Sequence, residues 1–314
     1  MKLSELVRYK EQLEGITPRE VSQYFSQNHG HVIHTVQEHP WRAPDQQFIL
    51  ETSLQAVYDS VANFDQRLLE FKQQLQLDIE QQEREYFRAS YDLYEKEMVH
   101  DTAEHVLGRR FNLSPEQEEF LISRAQFFSD FHYAGMIIRP GREQWIHYMV
   151  ACDPLYLVDE SHDLLAHIKD YFNPVYNNRL RWTTLWERGP EPWLQAIPDG
   201  QIGFCLAYNF FHYKPWEVIK SYLSEIMIKL RPGGTVAFTF NDCDRSGAVA
   251  NAERHYMTYT PGRLLRSLCE SLGYVIRDYR VLDRACTWVE ATKPGSAISL
   301  KAGQTLAKPI DKSK

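Results

Sequence analysis

Apolar positions follow two different periodicities in the second half of the chain, and together they predict a strand–helix–strand unit over 202–242. The run Ile202–Ala207 is short and apolar, which is typical of a strand buried on both faces of a parallel sheet. Apolar residues then recur every three or four positions over Val218–Leu230, which predicts one apolar face of a helix. Thr235–Phe240 is rich in β-branched and aromatic residues and predicts the second strand.

The same pattern of short strands and amphipathic helices extends over 131–295. Further strands are predicted at 136–138, 155–158, 179–182, 274–281 and 287–292. Helices are predicted between them, one of them after Ser161, whose hydroxyl is a good N-terminal cap. Alternating strands and helices favour an α/β fold, in which helices cover both faces of a mostly parallel sheet.

The first part of the chain is predicted to be helical. The segment Asp45–Leu107 contains no Gly or Pro, and its apolar residues alternate spacings of three and four. This seam comprises Leu54, Val57, Val61, Phe64, Leu68, Phe71 and Leu75, followed by Phe87, Tyr91, Tyr94 and Met98. The pattern predicts one long helix, or two divided near Asp78, with a coiled-coil-like apolar face. That face is buried either within the chain or against a second copy, and the second alternative is a homodimer through 52–99.

These patterns divide the chain into three parts that differ in charge. Residues 1–130 form a helical accessory or oligomerisation region, 131–295 the α/β domain, and 296–314 a flexible basic tail. The formal net charge is -7, and residues 1–134 carry 23 acidic but 13 basic side chains. This acidic part disfavours binding of nucleic acid, because contacts with phosphates need a basic surface.

Composition also indicates where the protein resides. The five cysteines are scattered without a C-x-x-C pair, which favours reduced thiols. No apolar run reaches the length of a membrane span, and the charged N-terminus is unlike a signal peptide. A soluble cytoplasmic protein without a membrane partner is therefore expected. His29, His31 and His34 are interpreted as part of a polar loop, and no metal site is predicted because no cysteine or carboxylate completes a ligand set.

One combination of motifs has a family resemblance. The strand ends in Ala207–His212, with an Asn and a His, and a helix, a Pro-Gly-Gly turn and a strand ending in Asn-Asp follow over Val218–Asp242. This arrangement resembles class I S-adenosylmethionine-dependent methyltransferases, and the resemblance covers about 130–295. It implies a Rossmann-like sheet, S-adenosylmethionine as cofactor, and methyl transfer by in-line displacement to an unidentified acceptor, either a small molecule or a protein side chain. It also implies that the preceding helices cover the cofactor or shape the substrate pocket.

The resemblance assigns cofactor contacts to the loops that follow the strands. Asp159, with Glu160 beside it, stands where the family has the acid that accepts both ribose hydroxyls. The alternative for Asp159 is an acid near a helix N-terminus, which is common for electrostatic reasons alone. Tyr208 and Asn209 lie in the segment that flanks the cofactor in the family.

The loop after the first strand departs from the family. There the pattern is acidic-x-Gly-x-Gly-x-Gly, whereas this chain has Ile137 for the acid, Arg139 for the first glycine and Glu143 for the third, so that only Gly141 agrees. Glycine is used in such a loop because the backbone approaches the ligand closely. Either Arg139 and Arg142 contact a carboxylate of the ligand, or cofactor binding is weakened or lost, or the segment is an ordinary basic turn.

His212 is the candidate general base, because histidine titrates near neutral pH. The alternative is that it packs beneath the next helix. The residues expected on the substrate side are Phe211, Asp242, Asp244, Arg245 and His255. A solvated polar loop is the alternative for this group.

Three functions are compatible with these residues. The first is an S-adenosylmethionine-dependent methyltransferase. The second is a catalytically inactive methyltransferase-like fold that acts as a binding or assembly module through its N-terminal helices. The third is a nucleotide-dependent enzyme of another class, which the sequence supports least because it lacks a P-loop and a full dinucleotide-binding motif.

Overall fold

The structure is a computed structural model that describes residues 2–14, 48, 52–53, 55–56, 59, 63–95, 114–141, 143–187 and 189–295. The histidine loop, the seam residues Leu54, Val57, Val61 and Met98, Arg142, and the tail 296–314 lie outside these residues. The chain divides into two compact units, Met1–Arg84 and Glu85–Lys314.

The first unit contains α1 (Leu3–Glu14) and most of α2 (Phe64–Glu95). α2 continues through Asp78, so the single-helix alternative for this stretch is the one observed. Leu68, Leu75 and Ile79 are buried, whereas Phe71 is 57% exposed. The predicted seam is therefore only partly buried in the single chain.

The second unit holds the end of α2 and the α/β domain. Its further elements are α3 (Pro115–Phe128), β1 (Ala134–Ile138), α4 (Glu143–Tyr148), β2 (Leu155–Asp159), α5 (His162–Lys169), α6 (Pro174–Asn177), β3 (Leu180–Thr184), β4 (Ile202–Ala207), a 3₁₀ turn (Phe211–Tyr213), α7 (Trp216–Lys229), β5 (Leu230–Asn241), α8 (Ser246–Glu253), α9 (Gly262–Ser271), β6 (Val275–Val281) and β7 (Cys286–Thr292). None of the helices among the described residues is both long and apolar enough to cross a membrane.

The seven strands form one mixed sheet in the order β3-β2-β1-β4-β5-β7-β6. The pairs β1–β2, β1–β4, β2–β3 and β4–β5 are parallel, whereas β7 runs antiparallel to both β5 and β6. The first five strands follow the order of a doubly wound Rossmann sheet, which reverses between β1 and β4. The predicted α/β, Rossmann-like fold with a helical N-terminal region is confirmed.

Helices cover both faces of this sheet. Successive residues of a strand point to opposite faces, so each strand contributes to two core clusters. Ile137 and Leu206 belong to a core cluster with residues of α3, α4 and α5. Met136, Ile138 and Cys205 belong to the cluster on the other face, with α7 and α9. All five cysteines are free and buried.

Two local features differ from the sequence-based expectation. β5 begins directly after α7, so the turn expected at Pro232–Gly234 lies inside the strand. Gly234 is required there, because a Cβ at this position would lie 2.6 Å from the carbonyl oxygen of Ile202. α8 was not expected from the sequence, since its buried residues Ala248, Val249 and Ala252 have mostly short side chains that give a weak apolar pattern.

A buried ion pair joins α3 to the sheet. The guanidinium of Arg124 donates to both carboxylate oxygens of Glu290 on β7, at 2.6 and 2.7 Å. The indole Nε1 of Trp288 also donates to Glu290, at 3.1 Å, and Glu290 is 0% exposed. Because Glu290 lies on the sheet face, its charge is compensated only as long as α3 stays in place.

We expect Arg124→Met to lower the free energy of unfolding by about 3–5 kcal/mol, because it leaves the buried Glu290 carboxylate without its cation. Urea unfolding measures the difference. The control is Arg179→Met, which removes the exposed Arg179–Asp153 pair (3.2 Å) and should cost about 1 kcal/mol or less. Equal losses in the two variants would show that Glu290 does not depend on Arg124.

Candidate functional site

The carboxyl ends of β1, β2 and β4 meet where the strand order reverses, and this is where open α/β sheets bind ligands. Arg139 follows β1, Asp159 ends β2, and Tyr208 and Asn209 follow β4. The residues assigned to cofactor binding thus come from three neighbouring strands of the sheet.

The backbone of the loop after β1 adopts the left-handed conformation that glycine favours. Arg139 and Gly141 both have positive φ angles, 54° and 63°. A left-handed conformation costs a non-glycine residue about 1–2 kcal/mol. The backbone N–H of Arg139 donates to the carbonyl oxygen of Val158 at 2.7 Å, which holds the loop against β2. The two aligned glycine positions of the family motif therefore have left-handed backbone here, although one of them is an arginine.

The side chain of Arg139 lies inside the protein, and it is 5% exposed. Its Nε is 3.8 Å from Oδ2 of Asp159. Its guanidinium carbon is 5.2 Å from the centre of the Phe210 ring. The arginine at the first glycine position is therefore directed toward the acid at the end of β2.

Asp159 and Glu160 differ in their surroundings. Oδ1 of Asp159 accepts a hydrogen bond from the backbone N–H of Ser161 at 2.9 Å, and Asp159 is buried. Glu160 is half-buried and accepts from the backbone N–H of Glu187 at 3.3 Å. Burial, followed by the negative charge of Glu187, raises the pKa of Glu160.

A buried ion pair lies next to these acids. Nζ of Lys214 is 2.5 Å from Oε2 of Glu187, and both side chains are 1% exposed. The hydroxyls of Tyr222 and Tyr94 donate to the same carboxylate at 2.6 and 2.8 Å. Burial alone would raise the pKa of Glu187, but the positive charges of Lys214 and Arg139 lower it below the usual value. Glu187 is thus an ionised carboxylate that interacts with two cations and accepts hydrogen bonds from two tyrosine hydroxyls.

Sequence reasoning missed Lys214 and Glu187. They are 27 positions apart, and no local spacing shows that they meet. The available signal is that Lys214 is the one charged side chain in the aromatic run Tyr208–Trp216. A cation inside such a run is expected to need a buried partner.

The segment after β4 lies mostly in the interior. His212 is 0% exposed, and its Nε2 is 3.8 Å from Sγ of Cys286. Phe211 is also 0% exposed, and its ring centre is 5.2 Å from that of Phe238. The structure therefore places the candidate base and Phe211 in packed surroundings.

Tyr208 and Asn209 lie closer to the surface. The Tyr208 ring is 4.7 Å from that of Trp145, and burial raises the pKa of Tyr208. Asn209 has a φ of 54°, and its backbone N–H donates to Oγ1 of Thr239 at 2.8 Å. Its Oδ1 is buried and has no hydrogen-bond partner among the described residues.

Asp242 directly follows β5 and accepts hydrogen bonds from several elements. Its Oδ2 accepts from the hydroxyls of Tyr279 (2.7 Å) and Thr287 (2.9 Å), and its Oδ1 accepts from the backbone N–H of Gly262 (3.2 Å). Burial raises the pKa of Asp242. These contacts connect the end of β5 with β6, β7 and α9, which indicates a structural role for Asp242.

The other candidates on the substrate side differ in their surroundings. Asp244 accepts from the guanidinium and the backbone N–H of Arg263, both at 2.6 Å. Arg245 is half-buried just before α8, and its Nε has no partner within the described part of the chain. His255 is exposed after α8 and has a φ of 59°. Within the described ranges no group of three or more His, Cys, Asp or Glu side chains could hold a metal ion.

Two groups of candidate residues thus emerge. Arg139, Asp159 and Glu160 come together with the Glu187–Lys214 pair, and Asp242 and Asp244 form a second group at the end of β5. The first group can recognise hydroxyls and a positive charge, because it presents carboxylates in a buried setting. The roles assigned to individual residues stay predictions.

No protein-family model and no curated protein matches the chain. Similar solved structures include the [4+2]-cyclase SpnF, with 13% identity and a TM-score of 0.46 over 58% of this chain and 82% of that one. The N-methyltransferase NodS from Bradyrhizobium japonicum WM9, in complex with S-adenosyl-l-homocysteine, has 12% identity and a TM-score of 0.45 over 62% and 98%. A SAM-dependent methyltransferase from Aquifex aeolicus has 12% identity and a TM-score of 0.41 over 62% and 95%. Likenesses this distant carry no argument about the site.

We expect Glu187→Gln to destabilise the protein by about 3–5 kcal/mol at neutral pH, because Lys214 is left buried without a carboxylate. The folded-state pKa of Glu187 is lowered, so its contribution is present above the ordinary pKa of 4.5 and is lost as the pH falls through the folded-state value. The difference from wild type should therefore shrink in acid.

Chemical unfolding at a series of pH values from neutral to acid measures this difference. The control is Glu119→Gln, an exposed position on α3, which should change stability little at any of these pH values. A difference for Glu187→Gln that stays constant with pH would contradict the assignment of an ionised Glu187.

Proposed function

We propose that the chain is an S-adenosylmethionine-dependent methyltransferase that transfers a methyl group by in-line displacement to a small molecule or a protein side chain. The observation that carries the proposal is the buried carboxylate of Asp159 at the end of β2, beside the reversal of strand order. A carboxylate at this place is suited to accept hydrogen bonds from both hydroxyls of a ribose.

Three features at the carboxyl ends of β1, β2 and β4 are suited to an adenosyl group. Asp159 would hold the ribose, and the buried, unpartnered Oδ1 of Asn209 offers an acceptor at the end of β4. The left-handed backbone at Arg139 and Gly141 gives the loop after β1 a shape suited to close approach of a ligand. Arg139 fits this ligand only when its guanidinium has moved away from Asp159.

The cofactor, when bound, supplies a methyl group on a sulfonium, which is an electrophile that needs no activation by the protein. The task of the chain is then to orient the acceptor in line and to exclude water. Asp244, Arg245 and His255 are proposed to contact the acceptor, since their side chains are half-buried or exposed around the end of β5.

In this proposal His212 removes a proton from the acceptor where the reaction requires it. A general base must come within hydrogen-bond distance of that proton. Because His212 is 0% exposed, the proposed role requires movement of the turn Phe211–Tyr213 when the acceptor binds. Acceptors that react without losing a proton to the protein need no such movement.

The proposal is tested by calorimetric titration with S-adenosylmethionine and S-adenosylhomocysteine. We expect wild type to bind both and Asp159→Ala to bind at least about 100-fold more weakly, because hydrogen bonds to a charged group contribute about 1.5–3 kcal/mol each. Asp170→Ala, at an exposed position after α5, is the control and should bind like wild type. No binding by folded wild-type protein would overturn the proposed function.

A second candidate function is a catalytically inactive methyltransferase-like module that assembles through its N-terminal helices. Two observations favour it. Arg139 is already directed toward the acid that a ribose would need. Phe64 and Phe71 on the predicted seam of α2 are 38% and 57% exposed, which leaves apolar surface for a second copy of the chain.

Sedimentation equilibrium tests this candidate. We expect wild type to be a dimer and Phe71→Glu to be a folded monomer, because Phe71 is exposed in the single chain. Tyr171→Glu, at another exposed aromatic residue (62%), is the control and should stay dimeric. A monomeric wild type would rule out assembly through α2.

A further inference from the structure

Arg139 combines two properties that rarely occur together. It is a long charged residue in a left-handed backbone conformation, and it is buried. Among the described residues Asn209 and His255 are the other non-glycine residues with positive φ, and both have shorter side chains. Nothing in the left-handed turn requires an arginine, because glycine adopts this conformation without strain. The side chain therefore needs an explanation of its own.

The contacts of the guanidinium give that explanation. Its Nε is 3.8 Å from the Asp159 carboxylate, and its carbon lies 5.2 Å from the Phe210 ring centre. Like the two hydroxyls of a ribose, a guanidinium can offer more than one hydrogen-bond donor to a carboxylate. The space beside Asp159 is taken up by a side chain of the protein itself.

We propose that Arg139 occupies the ribose position at Asp159, so that an adenosyl ligand binds only after displacing the guanidinium. This inference rests on the proposed function, because it concerns the same site. It makes Arg139 the residue that sets the affinity of the site. Only those protein molecules whose Arg139 side chain has moved away from Asp159 can bind the ligand. The apparent affinity is the intrinsic affinity of the open site multiplied by the fraction of such molecules.

Glu187 keeps its other cation, Lys214, when Arg139 withdraws. Glu187 keeps the ion pair with Lys214 at 2.5 Å and its hydrogen bonds from Tyr222 and Tyr94. Asp159 keeps the hydrogen bond from the Ser161 backbone N–H, and ribose hydroxyls take the place of the guanidinium beside its carboxylate. Opening of the Arg139–Asp159 pair therefore does not require the Lys214–Glu187 pair to open.

Calorimetric titration with S-adenosylhomocysteine tests the inference on wild type, Arg139→Gly and Arg139→Lys. We expect Arg139→Gly to bind about tenfold more tightly or better, since no side chain has to leave the site first. Arg139→Lys keeps a long cation near Asp159 and is expected to bind within about threefold of wild type. Thermal unfolding of each variant shows that it is folded.

The outcomes separate this inference from the proposed function. Equal affinity of wild type and Arg139→Gly would overturn the role of Arg139 and leave the proposed function standing. Weaker binding by Arg139→Gly would also overturn it, and would indicate that Arg139 contacts the ligand. Absence of binding in wild type and Arg139→Gly, both folded, would overturn the inference together with the proposed function. If Arg139→Gly does not fold, Arg139→Ala replaces it, because it also leaves no long side chain beside Asp159, and the same increase is expected.

Discussion

The Lys214–Glu187 ion pair is the interaction on which the carboxyl edge of the sheet depends. Glu187 follows β3, Lys214 follows β4, and Tyr222 and Tyr94 bring α7 and the end of α2 to the same carboxylate. A buried ion pair is stable only when its geometry is good and its remaining hydrogen-bonding atoms are satisfied. The loops after two strands must therefore take up fixed positions together, and the shape of the crevice between them follows from that requirement.

The same requirement explains why so much charge is tolerated in this crevice. Glu160, Asp159 and Glu187 lie near one another, and the burial and mutual repulsion of such groups disfavour ionisation. Lys214 and Arg139 supply the compensating charge, with the result that the pKa of Glu187 is lowered and that of Glu160 is raised. The pKa values of two neighbouring glutamates are thus displaced in opposite directions.

Local patterns predicted most of the fold because the relevant interactions are local. The unit β4–α7–β5 follows from apolar periodicity, and the predicted N-terminal cap at Ser161 is observed, since its hydroxyl accepts from the backbone N–H of Leu164 at 3.3 Å. α8 was missed because alanines give no distinct apolar face. The start of β5 was placed too late because Pro232–Gly234 is typical of a turn, whereas its pairing with β4 depends on a distant strand.

The candidate site could be predicted only in part. The family resemblance assigned Asp159 to the end of β2, where the structure places it, and its role there stays a prediction. The pairing of Glu187 with Lys214 could not be found, since it depends on how two loops from different strands pack. The direction of the Arg139 side chain was equally hidden, because the sequence shows an arginine in a turn but not whether it faces solvent or a carboxylate.

The position of β7 has a consequence for how the chain folds. β7 is the last strand in sequence, yet it lies between β5 and β6 and pairs with both. During synthesis β5 is therefore an open edge until residues up to Thr292 are available, and an unpaired edge of apolar strands invites association with other chains. The last hairpin of the domain protects the sheet during folding, so a chain that stops before β7 leaves the mostly buried strand β5 open along one edge.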